Sequence, residues 1–448
     1  MKEDMKTQLL TKSPKDLFFK LAIPGIIGMI VIGLYPFMDG IFAGWLIGDY
    51  AMSAISVSMS LTIINGGISA LIGVGSASIL SRAIGKGDKE TIDKIFGNFC
   101  YWVIVFSVMI TIAGLVCAPH FLDLVGAKGN IKELGVRYLR VVFFGSIFVN
   151  FAQAGNMTMR GEGALKQSMV IMGVGAVLNI ILDPIFMKLM GEYAIEGAAI
   201  ATVLSQIVQA ILTFHYFSKN SAFAGIHKIQ KHKAIYSEMF GIGSSAMMMQ
   251  ILFAVQQTFL FKQAFAYGGD DWGILMAAVM RLYMFSFIPL WGMSQGLQPV
   301  IGANFGAKQY GRVKDTMKVF MYGATILAAF SWIPSMFCSE QLLSLFSVRS
   351  EIIESGVKNF QIFYSAFILY GIMIMTLTFF QSIGDGKKAG MIVLLRQLIL
   401  FIPAILLLPK IFGAPSVWWA EPIVDFTMII AGLLLMRNEM RKMGKEAA

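Results

Sequence analysis

Charge is the first scarcity of this chain. Asp, Glu, Lys and Arg make up 14% of its 448 residues, where soluble domains carry about 25%, and that shortage excludes an ordinary water-facing globule. Cysteine is scarcer still. Cys100, Cys117 and Cys338 are scattered, with no metal-ligand spacing and no disulfide framework. The four histidines show no paired spacing on an apolar face, which excludes a histidine metal site. There is no His-x-x-x-His, no catalytic dyad and no cofactor fingerprint inside the apolar runs. The chain therefore does not read as an enzyme, and no resident cofactor is expected.

What is present is hydrocarbon. Apolar residues make up 57% of the chain, 36 of them Phe, and mean hydropathy is +0.71. The solvent for most of this protein is lipid. A span needs about 20 predominantly apolar residues. Twelve helices are expected on that rule, at 17–44, 51–81, 92–116, 133–159, 165–189 and 194–217, then 236–266, 272–304, 312–338, 352–382, 388–409 and 414–436. Pro24, Pro36, Pro184, Pro289 and Pro422 are candidate kinks. The polar N-terminus, MKEDMKTQLLTKSPKDLFFKL, lacks a small-residue cleavage site and does not read as a removed signal peptide.

Basic residues collect on one side. SRAIGKGDKETIDK, RGEGALK, SKNSAFAGIHKIQKHK, GAKQYGRVKDTMK, GKK and RNEMRKMGK fall on the side of the N-terminus, whereas GWLIGDYAM and AYGGDDWG carry no Lys or Arg. The positive-inside rule puts both termini in the cytoplasm of a multi-pass protein of the cell membrane. Basic loops account for the net charge of +10, so nucleic acid is not a partner this composition calls for.

The chain also repeats itself. GVGSASILSRAIGKGDKETIDK (73–94) is echoed about 221 residues later by SQGLQPVIGANFGAKQYGRVKD (294–315), and RGEGALKQ (160–167) by IGDGKKAG (383–390) after 223. Two matches at nearly one offset point to a duplicated six-helix unit. Because six is even, the axis relating the copies runs along the membrane normal. The expected architecture is all-α: an N-lobe at 1–217, a basic connector at 218–235 and a C-lobe at 236–448.

Within the N-lobe two acids stand inside apolar runs. A charge at the centre of a membrane helix costs about 2.5–3.5 kcal/mol on insertion scales, so Asp39 in GLYPFMDGIFAG and Asp183 in NIILDPIF require partners. Asn179 lies one turn before Asp183 on the same face. Pro184 lacks an N–H and frees the carbonyl of Ile180. Thr202, with Ser205 and Gln206 nearby, falls at the same depth on the sixth helix. An all-oxygen set of this kind suits a hard cation such as Na⁺. It equally suits a proton shared between carboxylates out of water. In the C-lobe, Glu421 and Asp425 share a face, with Glu421 near enough to the outer interface to act as an anchor. Arg281 and Arg396 are either counter-charges or snorkelling residues.

At these residues the chain resembles the multidrug and toxic compound extrusion (MATE) family, in its DNA-damage-inducible branch and bacterial multidrug pump group. The stretch YPFMDGIFAG, RGEG before the fifth helix and N-x-x-x-DP within it carry the likeness, with twelve spans in a 6+6 repeat. The resemblance implies cation coupling by Asp39, Asn179, Asp183 and Thr202, and bending of the first helix at Pro24. It further implies a V-shaped pair of bundles that exports organic cations or amphipathic drugs as a monomer, in exchange for H⁺ or Na⁺. The other major branch carries an acid on its seventh helix, where this chain has Gln256 and Gln257. Tyr35, Gln256, Met284, Phe287 and Met293, with Met247–Met249, Phe253 and Met280, are candidate cavity residues, since Met and aromatic faces suit varied cationic ligands. The alternative within transport is a flippase for a lipid-linked or polysaccharide precursor.

Overall fold

Lipid offers no hydrogen bonds to the backbone, so an apolar chain of this length must satisfy its amides within helices. The computed structural model does so. It describes residues 2–124, 128–229, 231–345 and 350–446; some side chains inside helices, including those of Tyr35, Pro36 and Asp39, lie outside the described set. The helices are α1 (Lys2–Thr11), α2 (Pro14–Leu46), α3 (Asp49–Lys86), α4 (Lys89–Leu124), α5 (Gly129–Phe144), α6 (Ser146–Gly161), α7 (Leu165–Met190) and α8 (Ala194–His215). They continue with α9 (Lys233–Gly306), α10 (Tyr310–Phe337), α11 (Ser339–Ser344), α12 (Ser350–Tyr364), α13 (Phe367–Ile383), α14 (Gly386–Leu394), α15 (Phe401–Phe412) and α16 (Ala420–Glu446).

Among the described residues nine helical stretches are long and apolar enough to cross a membrane, ten with the bent pair α5–α6, and two of them, 165–220 and 233–306, are each long enough for two passes, which matches the expected twelve crossings. α5 and α6 form one span bent by 57°, and α12 with α13 forms another. α14 and α15 are joined by a π-helical turn, Leu395–Leu400. α9 is two antiparallel arms folded at Gly269 (φ 60°, ψ −155°), because 74 residues of straight helix would be about 110 Å long. The helix assignment is continuous through Pro24 and Pro36 in α2, Pro184 in α7 and Pro289 in α9, and breaks at Gly145, Gly269 and Ser365–Ala366. α1, a polar segment in sequence, is a helix outside the twelve crossings.

The backbone repeats itself. Left-handed residues recur in pairs 221 positions apart: Gly48 (φ 125°) with Gly269, Gly87 (φ 76°) with Lys308 (φ 60°), and Gly163 (φ 84°) with Gly384 (φ 87°). Gly191 and Gly413 follow at 222. The break at Gly145 has its counterpart at Ala366, also 221 residues on. Each pair closes an equivalent turn, so the two halves share one chain path.

The halves meet where small residues let backbones touch. A Cβ on Gly243 of α9 would lie 1.8 Å from the Leu71 carbonyl oxygen of α3, and one on Gly85 would lie 2.0 Å from that of Ala303. Gln298 donates to the Val74 carbonyl at 3.3 Å, Arg160 to Gln295 at 2.8 Å, and Arg82 pairs with Glu238 at 2.7 Å. Among the described residues, hydrogen bonds between the halves run from mid-helix to the end bearing the termini and basic loops. That end is sealed. α1 straps the seal: Leu9 packs among Leu165, Met169, Val300 and Ala303, and its carbonyl accepts from Asn304 at 3.0 Å.

Candidate functional site

The turn Gly191–Tyr193 folds α8 back against α7, which brings residues about 20 apart in sequence to one level. Asn179 donates through Nδ2 to Asp183 Oδ1 at 3.1 Å and to Thr202 Oγ1 at 3.3 Å. Thr202 gives its own proton to the Ala198 carbonyl at 3.1 Å, so its remaining lone pairs face Asn179. All three are buried. Asn179 Oδ1 is buried with no hydrogen-bond partner among the described residues. The arrangement is a set of oxygen ligands in apolar surroundings with one acceptor in want of a donor or a cation.

A cavity of about 230 Å³ opens beside it, lined by Ile32 of α2, Gln153 of α6, Asn179, Thr202, Gln206 and Gln209. It is large enough for several waters, each of which takes about 30 Å³. Ser205 also lines it and donates back to Ala201 at 2.9 Å. The structure thus brings Asn179, Asp183 and Thr202 together. Asp39 and Tyr35 lie outside the described side chains. Pro24 stands beside Gly25, whose backbone packs against Gly292 of α9.

The cavity residues expected on α9 divide. Gln256 is buried and donates to Glu421 at 2.6 Å, and Met293 and Met280 are packed in the core of the second half. Met284 and Phe287 are half-buried; Phe287 stacks on Trp291 at 5.9 Å. Met247, Met248, Met249 and Phe253 are half-buried as well. Gly292–Gly296 (GMSQG) has the Gly-x-Ser-x-Gly spacing of a hydrolase nucleophile, but Ser294 lies inside α9 and donates to the Trp291 carbonyl at 2.7 Å. It has none of the strand–turn–helix setting that chemistry needs.

Sequence reasoning left Arg396, Glu421 and Asp425 unassigned; the structure joins them. Arg396 donates to Glu421 at 2.6 Å and to Asp425 at 2.8 Å. Glu421 is 3% exposed, so it is a core residue and no interface anchor. Glu162, from the RGEG motif, was missed altogether. It takes hydrogen bonds from Tyr216, from Ser221 at 3.0 Å and from the amides of Phe223 and Ala224 at 3.2 Å, and so pins the connector.

Two halves of like chain path, packed together at one end, with a cavity walled by the first half alone, have the build of a secondary transporter. The chain belongs to the MatE family, whose sequence model matches residues 24–185 and 275–406. It is 27% identical over 440 residues to the multidrug export protein MepA of Staphylococcus aureus (strain MSSA476), covering 96% of each chain. It is 32% identical to the MATE multidrug transporter DinF-BH, solved with a ligand bound, with a TM-score of 0.87 over 94% of this chain and 95% of that one. A MATE structure in the bent conformation is 26% identical and superposes with a TM-score of 0.92 over 98% of both chains.

Proposed function

We propose that this protein is a multidrug efflux antiporter that exports organic cationic and amphipathic compounds in exchange for H⁺ or Na⁺. It works by alternating access in the cell membrane, as a monomer with both termini in the cytoplasm. The observation that carries the coupling is the buried Asn179–Asp183–Thr202 set, with the unpartnered oxygen of Asn179 beside a water-sized cavity. Oxygen ligands of this number suit a hard cation, and a buried carboxylate is equally neutralised by a proton. In sequence Asp39 follows Ile32 by seven positions, two helical turns, and Ile32 lines the cavity. Asp39 is therefore the second carboxylate of this proposal. The relatives named multidrug exporters support the cargo.

With the basic end sealed, the cavity loads from the opposite face. A cation bound there removes the buried negative charge and favours a different packing of α2, whose contact with α9 lies beside Pro24. Exchange follows if cation and drug stabilise different states. The test is efflux of a fluorescent organic cation from liposomes holding the purified protein, driven separately by a pH gradient and a sodium gradient. Efflux driven by one of them is expected. Efflux that responds to neither ends the antiport proposal.

A further inference from the structure

The second half holds its own buried charge cluster, remote from Asn179. Arg396, in the π-helical turn Leu395–Leu400, gives Nη2 to Glu421 Oε1 at 2.6 Å and Nε to Asp425 Oδ1 at 2.8 Å. The two acids stand one turn apart on α16. Gln256, from the first arm of α9, donates Nε2 to the other oxygen of Glu421 at 2.6 Å. None of these four residues is more than 4% exposed. The ring of Tyr370 on α13 lies 5.0 Å from the guanidinium carbon, and Tyr283 on the second arm of α9 packs on Tyr370 at 5.6 Å. Among the described residues, these two phenols are the ionisable groups that face the triad from the helices packed against it.

Fully ionised, the triad has two negative charges against one positive. An excess charge sealed in apolar surroundings is strongly unfavourable. Arginine does not give up its proton, so the imbalance is relieved at the carboxyls. Gln256 supplies the second observation. Its Oε1 is buried and has no partner among the described residues. A primary amide both donates and accepts: as it stands, Nε2 serves a carboxylate, and turned over, Oε1 accepts from a carboxylic acid.

We propose that the Arg396–Glu421–Asp425 triad is a proton-binding site of the second half, with Glu421 gaining and losing the proton and Gln256 hydrogen-bonding both forms. Asp425 stays ionised against Arg396. Gln256 lies 13 residues from Gly243 on one arm of α9, about 20 Å along the helix, and at Gly243 that arm touches the backbone of α3. The helix that senses the proton is thus the helix that forms the seam. The role of this proton in transport rests on the antiport proposal; its presence does not.

Infrared difference spectroscopy of the full-length protein in lipid tests it. Wild type is expected to show the carbonyl stretch of a protonated acid, shifted in D₂O, that is missing from Glu421→Gln. The same band is expected to vanish in Asp425→Asn, because Arg396 then balances Glu421 alone. Gln256→Leu is expected to keep the band and shift it, since the proton loses its acceptor. An acid band unchanged in both Glu421→Gln and Asp425→Asn would overturn the proposal, and one unmoved by Gln256→Leu would overturn the assignment to Glu421. In liposomes, Glu421→Gln is expected to export drug with one fewer proton per cycle. Absence of any gradient-driven efflux would remove antiport and leave the infrared result standing.

Discussion

Thr202 meets Asn179 through a single hydroxyl at 3.3 Å, so the proposed coupling site depends there on one hydrogen bond. Removing it in Thr202→Val leaves the amide with fewer acceptors at a loss of about 1 kcal/mol. The expected result is a rise of about fivefold in the cation concentration needed for half-maximal efflux, with expression intact. Unchanged cation dependence would place Thr202 outside the site. At the basic end, burial pushes the Glu162 carboxyl above its ordinary range, against the pull of donors from Tyr216, Ala224, Ser221 and Phe223. A raised folded value means stability that is full below the unfolded value and is lost as pH rises through the folded one. Glu162→Gln cannot ionise and is expected to flatten that slope in melting temperature against pH. A wild-type melting temperature that climbs over the same interval would contradict it. Of these residues, Asp183 and Asn179 were legible in sequence because an acid inside an apolar run is rare and its i,i+4 neighbour follows from helix geometry. The partnership of Arg396 with Glu421 and Asp425 was not, since it depends on the π-helical turn Leu395–Leu400 and α16 being neighbours and on which faces meet. Gln256 misled for the same reason: a polar residue on α9 fits a cavity wall and a buried network equally well in sequence.

At the scale of elements, the seam between α3 and α9 depends on backbones in contact. Gly243→Val places side-chain atoms where the Leu71 carbonyl stands, and closure of the basic end is expected to fail. Spin labels on Lys86 and Lys308 should then report a longer, broader distance distribution, with drug efflux falling at least about tenfold, a loss equal to roughly 1.4 kcal/mol. Gly173→Ala, which meets open space, is the matched control and should change neither. Wild-type distances in Gly243→Val would show that the contact is no part of the seal. Span positions were legible from hydropathy, and the observed helices bracket most of the expected ranges. The interruptions were not, because glycine is common in membrane helices and only packing decides that Gly145 bends while Gly173 does not. α1 was passed over since a short polar segment shows no apolar stripe; it is held by Leu9 and by the Asn304 and Arg312 side chains on its backbone.

The whole molecule is two copies of one path put to different chemical use. Left-handed residues pair 221 apart, and the two family matches end at residues 185 and 406, the same distance apart. The first copy places Asn179, Asp183 and Thr202 beside a cavity; the second encloses Arg396, Glu421 and Asp425 in a packed core. On the antiport proposal, an N-lobe site for the coupling ion and a closed basic end together make the drug's route depend on that ion. Gradient-driven drug efflux by Asp183→Asn in liposomes tests this dependence most directly. A variant that still binds drug but no longer responds to a proton or sodium gradient is the predicted result. Efflux by Asp183→Asn that follows either gradient as wild type does would contradict it.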